Sequence, residues 1–260
     1  MTLALIDGDI VAYRSAAACQ REHGWNDDGP TFLEEDVVRY IEQTLDQWVT
    51  GAGCTSALVL LTGEGNFRKA VSPTYKANRK DTAKPLALGF ARTYLVEKHG
   101  ARIVDGLEAD DLIGLSLTGS KSDATAVSID KDLRTIPGKH FNPMKDRWPV
   151  EVDEKAADKL WLTQTLTGDA VDGYPGCPGI GPAKAPPIVK GGWGAVEKAF
   201  VKAGQTIEDA ITQARLARIL RRGDYDKDSK EVLLWHPVEP VRLALATASA
   251  SSATAPTAPT

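Results

Sequence analysis

The chain has little of what would tie it to a membrane, an oxidising compartment or a redox cofactor. Its 3 cysteines, Cys19, Cys54 and Cys177, are far apart and form no Cys-x-x-Cys pair. That argues against a disulfide framework and a zinc site, and it fits a reducing cytosol. No apolar run approaches the roughly 20 residues of a membrane span. The amino terminus opens on a strand-like run with neither a basic region nor a cleavage site before it, so the sequence predicts a cytoplasmic protein with no membrane partner. A Gly-x-Gly-x-x-Gly fingerprint is missing after the first apolar run. The 4 histidines, His23, His99, His140 and His236, fall in no recognisable nucleophile context, which leaves serine-triad hydrolysis without support. Positive charge is not in excess either, because the net charge is −4. Internal repeats are absent.

What is present is an ordinary globular composition, 42% hydrophobic and 25% charged, in 260 residues. That is enough for one large domain, or for a medium and a small one. Apolar runs at 2–6, 57–61, 102–104 and 124–129 read as strands. Between them, 10–19 is Ala-rich and helix-like, and 34–49 places Val37, Val38, Ile41, Leu45 and Trp48 at helical spacing. Strands alternating with helices predict an α/β fold with a mainly parallel central sheet. Turn formers at 24–30 mark a loop. From about Asp153 the pattern turns helical, at 153–166, 194–203 and 207–221, interrupted by a Gly/Pro-rich stretch at 173–182. The organisation predicted is an α/β core over 1–165, a helical region over 166–243, and a tail over 244–260. The tail is almost wholly Ala, Ser, Thr and Pro, cannot bury a core, and is expected to be disordered.

Eight acids in four clusters carry the chemistry. Asp7 ends the first apolar run; Glu108, Asp110 and Asp111 open a helix; Asp130 and Asp132 follow the fourth run; Asp169 and Asp172 sit in Gly168-Asp-Ala-Val-Asp-Gly173. A single Asp after a strand is an ordinary turn former, and acids in a first helical turn stabilise it by about 0.3–1 kcal/mol. Three acids in four positions exceed what a cap requires. Glu108 and Asp111, three apart, share a helix face. If the Asp130–Asp132 backbone is extended, its two-residue period aims both carboxylates one way. In an open α/β sheet such positions gather at the carboxyl ends of the strands. Carboxylates gathered there repel one another, and a hard divalent cation, Mg2+ or Mn2+, relieves the repulsion. A site for two such ions suits in-line attack on a phosphodiester. Setting these acids aside turns the charge balance of the remainder positive, as phosphate contact needs.

Two further segments support that chemistry. Arg68, Lys69, Lys76, Arg79, Lys80 and Lys84 crowd a stretch that also holds Phe67 and Tyr75 and is broken by Pro73 and Pro85. It reads as a mobile excursion over 67–90 that contacts nucleic acid through bases and aromatics; the plainer reading is a solvated loop. Tyr174-Pro-Gly176-Cys-Pro-Gly179-Ile-Gly181-Pro-Ala-Lys184 suits a tight hairpin between two short helices, with outward amides for phosphate and Lys184 beside them. Pro186 and Pro187 would shorten or kink the second helix.

In order, Ile6-Asp-Gly-Asp9, Asn66-Phe-Arg-Lys69, Tyr75-Lys-Ala-Asn-Arg79, Glu108-Ala-Asp-Asp111, Ile129-Asp-Lys-Asp-Leu133, Gly168-Asp-x-x-Asp172 and the hairpin at 176–185 resemble the flap endonuclease superfamily. Within it the phage-type 5′→3′ exonucleases are the nearest likeness, and it runs from residue 3 to about 240. The resemblance implies a metal-dependent nuclease that cuts DNA near 5′ ends, double-stranded, nicked or flapped, with RNA paired to DNA as a further substrate. Two Mg2+ ions, or Mn2+, would be held by Asp7, Glu108, Asp110, Asp111 and Asp130 on one side and by Asp132, Asp169 and Asp172 on the other. Lys76 and Arg79 would reach the scissile phosphate from an arch. Arg68, Lys69, Tyr75 and Lys80 would contact DNA, as would the hairpin residues Gly176, Gly179, Gly181 and Lys184. One departure stands out: an acid common in the family before the Asn-Phe-Arg-Lys motif is replaced, by this alignment, by Gly63, with Glu64 beside it. Two rivals remain. A toxin-type (PIN) ribonuclease would need neither the hairpin nor the basic excursion. A DNA-binding protein that kept the fold but weakened its catalysis is suggested by Gly63 alone.

Overall fold

A strand buried on both faces must be apolar at nearly every position, and the first strand of this protein is. In the computed structural model, which describes residues 2–22, 29–79, 83–119, 123–238 and 241–244, β1 (Leu3–Asp7) lies inside a six-stranded sheet. Its neighbours are β2 (Ser56–Thr62) and β4 (Ala124–Val127). The sheet continues to β3 (Arg102–Val104) on one side and to β5 (Gly138–Phe141) and β6 (Val150–Val152) on the other. The order is β3-β2-β1-β4-β5-β6, parallel except for β6. Alternation along the strands sorts the side chains. Ala4, Ile6, Val59, Leu61 and Val127 face one apolar layer, and Leu5, Leu60, Ala124 and Ala126 face the other.

The first layer is closed by α1 (Gly8–Cys19), α2 (Glu34–Gly51) and α4 (Leu88–His99). Val37, Ile41, Leu45 and Trp48 make the buried stripe of α2 that the spacing predicts. The second layer is closed by α5 (Ala109–Gly119) and by Ile219, Leu220, Val232 and Leu234 from near the carboxyl end. A third cluster holds α6 (Glu154–Thr167), α7 (Ala185–Val189), α8 (Trp193–Lys202) and α9 (Ile207–Ala217). The expected division at 165/166 falls inside α6.

The α/β class and its parallel sheet stand as the sequence predicts, but three local expectations do not. Strands β5 and β6 were not foreseen. The carboxyl-terminal region is not helical to its end, because β7 (Tyr225–Asp226), β8 (Glu231–Leu234) and β9 (Val241–Ala244) form an antiparallel sheet. Trp235, just past β8, anchors it edge-on against Trp161 (4.8 Å) and Trp193 (4.6 Å). The segment from 67 is no excursion over its first part. It folds as the one-turn helix α3 (Arg68–Val71) and a 3-10 turn at Ala77–Arg79, with Phe67, Arg68 and Tyr75 buried. Most of the loop at 24–30 and the tail from 245 lie outside the described residues.

One close approach ties the two ends of the chain. A Cβ on Gly114 of α5 would stand 2.2 Å from the Leu220 carbonyl oxygen, backbone that cannot swing aside. Gly114→Ala should therefore cost about 2 kcal/mol and lower Tm by about 4–8 °C in thermal unfolding followed by circular dichroism.

Candidate active site

The sheet order reverses between β1 and β4, and in open α/β sheets the crevice outside that switch point is where ligands bind. Here it is a cavity of about 390 Å3 lined by Asp7, Asp9, Glu108, Asp110, Asp130, Asp132, Asp169 and Asp172. Seven of the eight acids singled out in the sequence thus meet in one place, from four separate segments.

Each is set by its local backbone. Asp7 is the N-cap of α1: one oxygen accepts the Ile10 amide (3.2 Å) and the other the Ser128 hydroxyl (2.9 Å). Asp130 and Asp132 do not lie on extended backbone as the two-residue spacing suggested. Asp130 Oδ1 accepts the Asp132 amide (2.8 Å), which turns the chain into a 3-10 segment at Asp132–Thr135, yet both still line the cavity. Asp169 Oδ1 accepts the amides of Val171 (2.7 Å) and Asp172 (3.2 Å). That loop closes through an Asp169–Tyr174 bridge. Gly168 and Gly176 pack back to back at its base with φ of 67° and 68°. A side chain on either would strike backbone within 2.4 Å.

Asp111 stands apart from the cavity. It is fully buried, and its carboxylate is engaged bidentately by Arg68 (2.8 Å twice) while accepting the Leu220 and Glu108 amides (3.1 Å each). Its oxygens are used for structure, so the expected ligand role does not suit it. Arg68, expected to meet DNA, is equally committed, donating also to Glu108 and to the carbonyls of Leu216 and Arg218. Tyr75 is buried, and its hydroxyl donates to Glu108 (2.9 Å) and Asp172 (3.2 Å) instead of facing solvent. Gly176 is buried too, and its amide is taken by Gln213 (2.8 Å). Lys184 turns back onto the Gly179 carbonyl (2.9 Å), and the Gly181 carbonyl accepts the Lys184 and Ala185 amides. The helix after this hairpin, α7, has five residues, with its prolines in the first turn where no amide bond is lost. The helix before it is the 14-residue α6, not a short one. Lys69 is exposed on α3. Arg79 is placed by its backbone in the 3-10 turn, and Lys80 lies outside the described residues.

At the end of β2, Gly63 does not line the cavity. The side chain at the cavity there is Thr62, a neutral hydroxyl that accepts the Ala109 amide (3.0 Å). Gly63 has no room for a side chain, since a Cβ would sit 2.2 Å from the Val104 carbonyl oxygen. Glu64 is exposed and does not line the cavity. Sequence reasoning also missed three partners. Arg92 of α4 pairs with Asp9 and donates to the Thr62 carbonyl. Gln164 of α6 donates to Asp132 (2.6 Å), and Tyr174 lines the wall. Asp9 and Arg92 are 83 positions apart, so no local pattern could pair them.

The electrostatics are those of crowded carboxylates. Burial, then neighbouring Asp9, push Asp7 up to about 7. Burial, then Asp7, Asp130 and Glu108, raise Asp110 well above the carboxylate range. Burial and Asp130 bring Asp132 to about 6. Glu108 goes the other way: burial would raise it, but Arg68 and Lys76 outweigh that and hold it down at about 2. Lys76 reaches into the cluster, with Nζ 2.5 Å from Glu108 and 3.7 Å from Asp172. Among the described residues, no three acids have their oxygens gathered closely enough to hold one cation as they stand. The donor set is nevertheless all oxygen, the chemistry that fits a hard divalent ion.

A family model for the 5′-3′ exonuclease, N-terminal resolvase-like domain, matches residues 2–161. The chain belongs to that family. The nuclease is 29% identical to the exonuclease of Escherichia phage T7, over 90% of this chain and 93% of that protein. It is 28% identical to the exodeoxyribonuclease of Enterobacteria phage T3, over 90% and 92%. Its fold is shared with the T5 D15 protein co-crystallised with metal ions, at a TM-score of 0.60, 17% identity, and coverage of 84% of this chain and 89% of that one. It is a 5′-3′ nuclease, a hydrolase of ester bonds.

Burial and the neighbouring carboxylates disfavour a charge on Asp110, so removing its capacity to ionise relieves that cost. Asp110→Asn should raise the Tm of the metal-free protein at pH 8. A fall in Tm on scanning calorimetry would show that repulsion does not govern this site.

Proposed function

We propose that this nuclease hydrolyses DNA phosphodiesters from 5′ ends with two Mg2+ ions, or Mn2+, held by Asp7, Asp110 and Asp130 and by Asp132, Asp169 and Asp172. The observation that carries the reading is the convergence of these acids, from four segments, on one cavity at the carboxyl edge of the sheet. The T5 D15 flap endonuclease, of the same fold, was crystallised in complex with DNA and metal ions. When bound, the cations lower the pKa of water and offset charge on the phosphate. The protein's own part is positional. Ser128 and the first turn of α1 fix Asp7, Gln164 orients Asp132, and the Asp169 turn presents Asp172. Lys76, half-buried at the cavity, exchanges its carboxylate partners for the phosphate oxygens and stabilises charge that builds there. Its backbone is fixed by a bond from its amide to the Asp172 carbonyl (2.8 Å). Arg79 is assigned the same task.

Flapped and nicked DNA and RNA paired to DNA are the proposed substrates, acted on in the cytoplasm of a bacterium or a phage-infected cell. Membership of the exonuclease family disfavours a toxin-type ribonuclease. Duplex, nicked, flapped and RNA-primed substrates labelled at either end, incubated with and without Mg2+, decide polarity and substrate together; release of label from 3′ ends alone would overturn the reading.

Asp130→Asn and Asp169→Asn, which keep the side-chain oxygen that accepts the turn amides, should fold normally and lose Mg2+-dependent cleavage by at least about a thousandfold, with full activity in either variant contradicting the assignment. Lys76→Ala should lower kcat by about a hundredfold with little change in duplex Kd, as measured by single-turnover kinetics and fluorescence anisotropy. Equal losses in both would make Lys76 a binding residue only.

A further inference from the structure

The connection from β5 to β6 exposes large apolar side chains at the same edge of the sheet as the acid-lined cavity, and nothing in the catalytic assignment uses them. Met144 is 62% exposed and Trp148 68%. An indole left in water forgoes a large burial gain, so its position matters. Strand β5 runs parallel to β4 and β1, so this connection leaves the carboxyl edge of the sheet, where Asp7 and Asp130 also lie. It begins in contact with the acidic turn: Asn142 donates to the Ile129 carbonyl (3.1 Å), one residue before Asp130. Its middle is tied to the same turn, because Arg134, two residues past Asp132, binds Asp146 (2.7 Å).

The loop is rigid. The Asn142 carbonyl accepts the Lys145 and Asp146 amides (3.0 and 2.8 Å), its side-chain oxygen accepts the Met144 amide (3.0 Å), and Asp146 accepts the Asn142 amide (2.8 Å). The one acid of the connection is thus occupied, leaving Lys145 and Arg147 exposed on it. The Arg147 guanidinium stands 5.7 Å from the Trp148 ring centre. A largely exposed indole, a guanidinium over its ring and a second cation on the same hydrogen-bonded loop are groups that can meet a base and its phosphate.

We propose that Trp148, with Arg147 and Lys145, is a stacking platform that holds an unpaired strand of the DNA substrate at the β5 side of the catalytic cavity. The platform rests on the reading of that cavity as a DNA nuclease site, and it adds a preference for substrates with a single-stranded part. Being off the reacting atoms, it acts on binding and not on the chemical step.

Binding of 5′-tailed, 3′-tailed and blunt duplexes, measured by fluorescence anisotropy with Ca2+ in place of Mg2+, tests it. Trp148→Ala should weaken binding of one tailed duplex about tenfold, Trp148→Phe should retain most of it, and blunt-duplex binding and hydrolysis should stay within about twofold of wild type. The tail that loses affinity names the strand held. Unchanged affinity for both tailed duplexes, or an equal loss on blunt DNA, overturns the platform, as does a defect confined to binding another protein. Failure of the wild-type nuclease to cleave any DNA would instead strike the proposed function, and the tailed-versus-blunt comparison would still judge Trp148.

Discussion

One buried ion pair braces the wall of the acid-lined cavity. Arg68 sits at the start of the basic segment, Asp111 in the first turn of α5, and neither is accessible to solvent beyond 2%. Burying two charges is expensive, and the cost is met only when the geometry is good and the remaining donors are satisfied. Both conditions hold. Arg68 is bidentate on Asp111 and donates as well to Glu108, Leu216 and Arg218, while Asp111 takes the Leu220 amide. Three stretches separated by more than 40 and by about 150 positions are thereby locked together. Removing one partner of such a pair costs about 3–5 kcal/mol, mostly for the charge left behind, which is a large share of the stability of an ordinary domain.

That lock is what allows the site itself to be electrostatically unfavourable. Carboxylates free to move would separate; these are attached to a strand end, two helix starts and a closed loop that the frame does not release. Glu108 is the exception that shows the principle, since Arg68, Lys76 and Tyr75 all donate to it and its acidity rises accordingly. Asp7, Asp110 and Asp132 have no Lys or Arg ion-pair partner among the described residues, and their proton affinity is raised instead. Stability and function pull in opposite directions at this edge of the sheet.

What was legible in the sequence follows from the same distinction between local and distant effects. Strands β1, β2 and β4 and helices α1, α2 and α6 announce themselves through apolar period and flanking turn residues, and the clustering of acids at strand ends follows from the parallel sheet. Asp111 could not be told from Asp110 by spacing, because what separates them is Arg68, 43 positions away. Tyr75 and Arg68 looked like phosphate contacts because a base beside an aromatic is ambiguous until burial is known. Strand β4 is as short but sits in an apolar stretch, whereas β5, β6 and β7 are interrupted by Lys139, Glu151 and Asp226 and show neither an apolar run nor a period. That Thr62 and not Gly63 lines the cavity is visible only once the strand end is placed.

The unequal pairing of the acids also says where cations are stabilised most. Arg92 already compensates Asp9 on the β2 side, where Thr62 adds no charge, and Arg68 and Lys76 compensate Glu108. The charge without such compensation lies toward β4, around Asp7, Asp110, Asp130 and Asp132. Electrostatic attraction for a divalent ion is therefore greatest around those four acids, while two cationic side chains, Lys76 and Lys131, also line the cavity. Fixed charges of both signs in one cavity set up a field that repels an anion over the acids and attracts it over Lys76 and Lys131, and the frame maintains that field without a moving part.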